Sequence, residues 1–252
     1  MNDLTITTVQ AALHWEDKLK NLKMFDAMIE NIEKTDLIIL PEMFNTGFSM
    51  HAAEMAEHMN GETVKWMLEK SKLYNAAICG SLIINENGNY YNRLLFIEPN
   101  GNMNFYDKRH LFSMGDEDKY YTAGSKSLIV NYKEWRINLV ICYDIRFPES
   151  IRNTKENPYD LAIIVANWPD KRIEHWDILM RARAIENQSY VIGVNRTGLD
   201  GNEISHSGHT QVVHPFGNLL YISDIAEANN LILSRNELNF NRRAFHFIKD
   251  IV

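Results

Sequence analysis

Short apolar runs closed by turn formers, two of them ending on residues able to do chemistry, narrow the fold more than any other feature. Leu37-Ile-Ile-Leu40 runs into Pro41-Glu42, Leu139-Val-Ile141 into Cys142-Tyr143-Asp144, and Leu161-Ala-Ile-Ile-Val-Ala166 into Asn167-Trp168-Pro169. Continuous apolar runs of this length, closed by turn formers, are strands buried on both faces. Helical spacing appears between some of them. Over 17–32, Leu22, Phe25, Met28, Ile29 and Ile32 share one face; over 62–75, Val64, Met67, Leu68 and Tyr74; over 173–187, Trp176, Leu179, Met180, Ala184 and Ile185. Pro148 marks a further helix start.

More strands are expected at 4–10, 76–84, 90–97, 127–132, 135–142, 190–195, 210–214, 219–222 and 230–233. Asn85-Glu86-Asn87-Gly88-Asn89 joins two of them as a hairpin. Residues 109–124 carry two glycines and a charge cluster and read as a long ordered loop, a kind of segment that is usually functional. No linker, repeat or composition break divides the chain, so residues 1–252 are expected to form one α/β domain with more strands than a doubly wound sheet needs.

Composition excludes several classes. Hydrophobic residues make up 45% of the chain, which rules out a disordered polypeptide. The formal net charge of -7 opposes broad attraction to nucleic acid or anionic lipid. The longest apolar runs are too short to span a bilayer, so no membrane partner is expected. The N-terminus lacks a basic segment followed by an apolar one, so Cys79 and Cys142 are expected as reduced thiols in a cytoplasm.

Cys142 sits at a strand end just before a helix start, where backbone N–H groups favour thiolate over thiol and can hold an oxyanion. A buried structural cysteine remains the alternative on position alone. Glu42 closes its strand in the same way beside Phe44 and Phe48, and a carboxylate among aromatic walls is suited to general-base work; a capping or ion-paired glutamate is the plainer reading. Lys108, at the end of a strand and the start of the long loop, could donate to an oxyanion or be a solvated charge. Glu117 alone reads as loop surface, and Arg146 as either a two-pronged carboxylate clamp or a surface ion pair. His206, His209 and His214 have no zinc-site spacing, so no metal or other cofactor is expected.

Taken together, Leu40-Pro41-Glu42, Tyr106-Asp107-Lys108 and Ile141-Cys142-Tyr143-Asp144-Ile145-Arg146-Phe147-Pro148 resemble the nitrilase superfamily of carbon–nitrogen hydrolases. Glu117, Ala166-Asn167-Trp168-Pro169 and the stretch from His175 to Arg196 extend the resemblance over about residues 4–222. Within that superfamily Pro41-Glu-Met-Phe44, Tyr106–Phe112 and Ala166–Pro169 look like the omega-amidases. The resemblance implies a four-layer α-β-β-α sandwich of two mixed sheets flanked by helices, paired into a homodimer, with the tail 223–252 in the dimer contact. It implies Cys142 as nucleophile, Glu42 as base, Lys108 with the Tyr143 backbone N–H as oxyanion holders, and Glu117 as their positioner. The substrate it implies is the terminal amide of 2-oxoglutaramate or 2-oxosuccinamate, bound by Arg146 between walls of Phe44 and Trp168. A nitrilase or another small aliphatic amidase using the same three residues is the alternative; a papain-like peptidase would need a histidine.

Overall fold

The computed structural model describes residues 2–251, and the layers follow from strand alternation. The first sheet contains β1 (Leu4–Gln10), β2 (Leu37–Ile39), β3 (Ala77–Glu86), β4 (Asn89–Ile97) and β5 (Met103–Asp107). The second contains β6 (Ile129–Tyr132), β7 (Trp135–Ile141), β8 (Leu161–Val165) and β9 (Tyr190–Val194). A small hairpin, β10 (Thr197–Leu199) and β11 (Ser205–Ser207), stands apart; β12 (Thr210–Val213) and β13 (Leu219–Ser223) then complete the second sheet, and β14 (Glu227–Leu233) returns to the first. The spatial orders are β14-β1-β2-β3-β4-β5 and β13-β12-β9-β8-β7-β6. Both are mixed: β1-β2-β3 and β7-β8-β9 run parallel, while the outer pairs are antiparallel.

Successive residues of β2 serve different layers, as the period of two requires. Leu37 and Ile39 join one apolar cluster with Ile6, Cys79 and Phe96 of the first sheet and Ile137, Leu139 and Ile163 of the second. Ile38 and Leu40 face a separate cluster under α1 (Lys18–Ile29) and α3 (Glu62–Tyr74), meeting Phe25, Ile29, Val64 and Met67. On the far side, Trp176, Met180 and Ala184 of α6 (Ile173–Asn187) close over the second sheet. The result is the helix-sheet-sheet-helix layering, with the C-terminal ends of β2, β5 and β7 brought to one cavity.

Short elements fill what the sequence pattern left as loop. They are α2 (Ala52–Met55), α4 (Glu117–Tyr120) and, late in the chain, α7 (Arg235–Ala244), while α5 (Pro148–Ile151) is a single turn. The expected loop 109–124 therefore carries a helical turn, and the helix expected at Pro148 is only four residues long. The tail expected in a dimer contact is partly internal: β14 pairs along β1, Leu238 is buried, and Arg235 and Arg242 both bind the buried Asp160 carboxylate at 2.8 and 2.7 Å. Among the described residues no helix is long and apolar enough to cross a membrane.

Candidate active site

Glu42, Lys108 and Cys142 leave β2, β5 and β7 respectively and converge on one cavity of about 140 Å³. The Lys108 ammonium donates to Glu42 Oε1 at 3.0 Å and to both Glu117 oxygens at 3.0 and 2.9 Å. Glu42 and Glu117 are wholly buried and Lys108 is 1% exposed, so the cluster holds two carboxylates and one ammonium away from water. Burial alone would drive the Lys108 ammonium down; attraction from Glu117 and Glu42 outweighs it and holds the group well above its usual value. Burial raises the Glu117 carboxyl, against the pull of Lys108.

Backbone and amide groups fix the carboxylates. The Asn167 N–H donates to Glu42 Oε2 at 2.8 Å, and its side-chain amide to the Glu42 carbonyl at 2.6 Å. The Phe112 N–H donates to Glu117 Oε2 at 2.6 Å, which folds the loop beginning at residue 109 back over the cluster. That loop ends at Gly124, where a Cβ would lie 2.2 Å from the Asp107 carbonyl oxygen, so only glycine lets it close there.

Cys142 adopts φ 42°, a left-handed backbone that is costly for a side-chain-bearing residue and is kept only where the surroundings enforce it. Asp144 supplies that enforcement. Its buried carboxylate accepts from the Ile141 N–H at 3.1 Å, the Tyr106 hydroxyl at 2.7 Å and the His110 N–H at 3.0 Å. Arg183 of α6 clamps the Ile145 carbonyl with two donors, at 3.0 and 2.7 Å. The thiol touches the Glu42 carboxylate and the Asn167 backbone N–H. Burial, then the Glu42 charge, pushes the thiol well above its ordinary value, with Lys108 opposing.

This corrects the expectation that the strand-to-helix corner favours thiolate. The turn after Cys142 is a five-residue 3-10 helix, too short to accumulate a field that offsets burial beside a carboxylate. The shift has a consequence for stability. Both Cys142 and the fully buried Cys79 have pKa values raised in the fold by burial. The unfolded chain therefore loses these protons first, and stability conferred by them is lost as pH rises above about 9. Denaturant titrations from pH 8 to 10 should show a falling stability, approaching about 1.4 kcal/mol per pH unit for each thiol. Cys142→Ala should flatten that slope; an equal slope in the variant would contradict the raised thiol.

Above the cluster, Phe48, Met50, Phe112, Tyr143 and Trp168 wall the cavity, and Arg146 and Arg172 flank it. The β10–β11 hairpin adds Asp200, Asn202, Ile204 and His206 at the rim.

A carbon-nitrogen hydrolase family model matches residues 5–233. The chain belongs to the carbon–nitrogen hydrolase family. It is 45% identical to the omega-amidase YafV of Escherichia coli K12 over 92% of this chain and 89% of that one. To the 2-oxoglutaramate amidase of Bacillus subtilis it is 32% identical, over 86% of this chain and 85% of that one. A CN-hydrolase superfamily protein of Xanthomonas campestris, whose structure has an arsenic adduct in its active site, superimposes with a TM-score of 0.97 at 39% identity, covering 100% of this chain and 98% of that one. This chain is thus a carbon–nitrogen hydrolase enzyme with the nitrilase-superfamily fold, and the family match runs through β14, past residue 222 where the sequence resemblance ended.

Within this carbon–nitrogen hydrolase, Glu42, Lys108, Glu117 and Cys142 stand together, and Tyr143, Arg146 and Trp168 line the same cavity. Phe44 does not. Met43 turns the chain with φ 42°, and the Phe44 ring drops into the outer core against Phe25 at 5.4 Å and Trp66 at 5.9 Å. Gly80 makes the room: a Cβ there would lie 2.9 Å from the ring. Burying Phe44 in that slot is worth roughly 1.5–3 kcal/mol, and Phe48 takes the wall position instead. The three histidines go separate ways: His206 to the Gly198 and Ile204 carbonyls, His209 to Asp177, His214 towards Glu237.

Sequence reasoning assigned no role to Asn92, Asp144, Asn167 or Arg172. Asn92, 1% exposed on β4, donates through its amide to Glu42 Oε1 at 2.7 Å and Glu117 Oε1 at 3.3 Å. A polar pair, Asn92-Arg93, in the middle of a largely apolar strand was the available signal, because a buried amide must find partners.

Proposed function

We propose that the whole chain acts as a single hydrolase domain on the terminal amide of small 2-oxo dicarboxylic monoamides, 2-oxoglutaramate and 2-oxosuccinamate, through a Cys142 thioester. The observation that carries the reading is the cavity itself, with Cys142 against Glu42 and Lys108 at its floor and arginines beside its aromatic walls. The names of the omega-amidase and 2-oxoglutaramate amidase relatives support the substrate class.

Because the thiol is held protonated, a base must act during attack. Glu42 takes the Cys142 proton as sulfur bonds to the amide carbon. The carbonyl electrons move onto oxygen, where Lys108 Nζ and the Tyr143 N–H hold the oxyanion. As that oxygen re-forms its double bond, the C–N bond breaks and Glu42 returns the proton, releasing ammonia. Water then gives a proton to Glu42 and its oxygen attacks the thioester; the C–S bond breaks, the acid leaves, and the sulfur recovers its proton. Glu117 holds Lys108 in place throughout. His206 is not needed, since the Cys142 thiol meets Glu42 rather than an imidazole.

Arg146 lies 4.6 Å above the Trp168 ring and binds the substrate carboxylate with its fork. Arg146→Lys should raise KM for acidic amides about tenfold or more with little change in kcat, since an ammonium cannot reproduce two parallel donors. Unchanged KM would contradict the clamp. The function as a whole is tested by ammonia release from 2-oxoglutaramate with wild type and Cys142→Ala. Turnover by the wild type alone is expected; turnover of nitriles in place of amides would overturn the reading.

The reading also includes a homodimer in the cytoplasm. Ile178 and Ile185 on α6 and Phe240 and Phe245 in the tail are exposed apolar side chains that a second copy would cover, and the two cysteines are free, as suits a reducing compartment.

A further inference from the structure

The cavity wall carries a second guanidinium that the reaction scheme does not use. The Arg146 guanidinium lies 4.6 Å from the Trp168 ring centre and 5.9 Å from that of Tyr143, and the Arg172 guanidinium 5.3 Å from that of Phe112. These rings form one assembly. Phe112 and Tyr143 meet edge to face at 5.1 Å, and the Trp168 indole N–H donates to the Arg172 carbonyl at 2.7 Å. Two cations are therefore held on one aromatic wall, above a floor where Lys108 is already matched by two carboxylates.

Among the described residues neither arginine has a carboxylate within ion-pair distance; the polar contact of Arg146 is His175 Nδ1 at 3.2 Å. Asp200, the acidic side chain at the rim, accepts from the Asn202 and Ile204 N–H groups of its own hairpin at 2.8 and 3.0 Å. Burial and then repulsion by Arg172 lower the Arg146 pKa, so the pair is unrelieved. An anion entering between them relieves it; a cation makes it worse.

We propose that Arg172 is the second half of a two-guanidinium subsite that, with Arg146, grips the 2-oxo-carboxylate end of the substrate and turns away the matching 2-amino acid amides. The inference rests on the amidase reading above. A 2-oxo acid amide brings one negative charge and two acceptor groups to this wall. Glutamine brings the same carboxylate with an ammonium on the adjacent carbon, which must sit beside two guanidinium groups. The discrimination is thus built from a repulsion as well as an attraction.

The test is steady-state kinetics of wild type, Arg172→Met and Arg172→Lys on 2-oxoglutaramate, glutamine and uncharged butyramide. Arg172 is half-buried at the cavity edge, so its replacement does not open the core. Arg172→Met should raise KM for 2-oxoglutaramate by about ten- to a hundredfold, well beyond any change for butyramide. The kcat/KM preference for 2-oxoglutaramate over glutamine should narrow by about tenfold, with Arg172→Lys between wild type and Arg172→Met. An unchanged preference, or equal losses on all three amides, would overturn the subsite while wild-type turnover of 2-oxoglutaramate stands. A wild type that hydrolyses butyramide but not 2-oxoglutaramate would overturn the amidase substrate reading, and this inference with it.

Discussion

Glu42→Gln is expected to lower kcat by about a hundred- to ten-thousandfold while the protein stays folded. The amide keeps the size of the carboxylate but cannot accept the Cys142 proton. One of its two terminal positions also becomes a donor, facing either the Asn167 N–H or the donors of Asn92 and Lys108. The same change should make the thiol more acidic. After burial, the Glu42 charge is the largest influence raising Cys142, and Lys108 remains to draw the proton off. The pH midpoint for alkylation of Cys142 should therefore fall in the variant as turnover collapses. Loss of turnover with an unmoved midpoint would mean that Glu42 only shapes the site.

Lys108→Met should act on rate and stability together. Removing an oxyanion donor costs about a hundred- to a thousandfold in kcat. It also leaves two buried carboxylates without their counter-charge, and breaking a buried pair in this way costs about 3–5 kcal/mol. Part of that cost should return on acidification. The Glu117 carboxyl is already raised by burial, and the attraction of Lys108 is the largest influence opposing that rise. Without Lys108 its folded value climbs further, so its proton is bound more tightly in the fold than in the unfolded chain. Stability linked to it is full below the unfolded value of about 4.5 and is lost as pH rises through the folded value. The stability deficit of the variant, measured by denaturant titration, should thus be smaller near pH 5 than near pH 8. A deficit independent of pH would contradict a carboxylate cluster neutralised by Lys108.

The strand ends were legible because buried strands are read from continuous apolar runs, and Leu37–Leu40 and Leu139–Ile141 are unambiguous. Their polar successors had to emerge at an edge of a sheet. The direction of each side chain beyond a strand end was not legible. Phe44 and Phe48 are equally aromatic neighbours of Glu42, and only the left-handed turn at Met43 and the space over Gly80 decide which one reaches the cavity. The β10–β11 hairpin was missed because two strands of three residues, one of them carrying a glycine, with a polar loop and exposed residues leave no alternation to read. Helix α7 was missed because arginines and asparagines bury its inner face: Arg235 and Asn241 lie beside Leu238, with Asp160 as the partner that makes this tolerable. Asn92 and Asp144 do their work through contacts 50 and 38 residues away in sequence, which local pattern cannot register.

The most direct test of the cysteine account is rapid-quench intact-protein mass spectrometry with 2-oxoglutaramate, followed by peptide mapping. The account predicts an acyl adduct that forms before free acid accumulates, maps to the peptide carrying Cys142, and is absent from Cys142→Ala together with ammonia release. Sustained ammonia release from Cys142→Ala, with no adduct on the wild-type thiol, would contradict it.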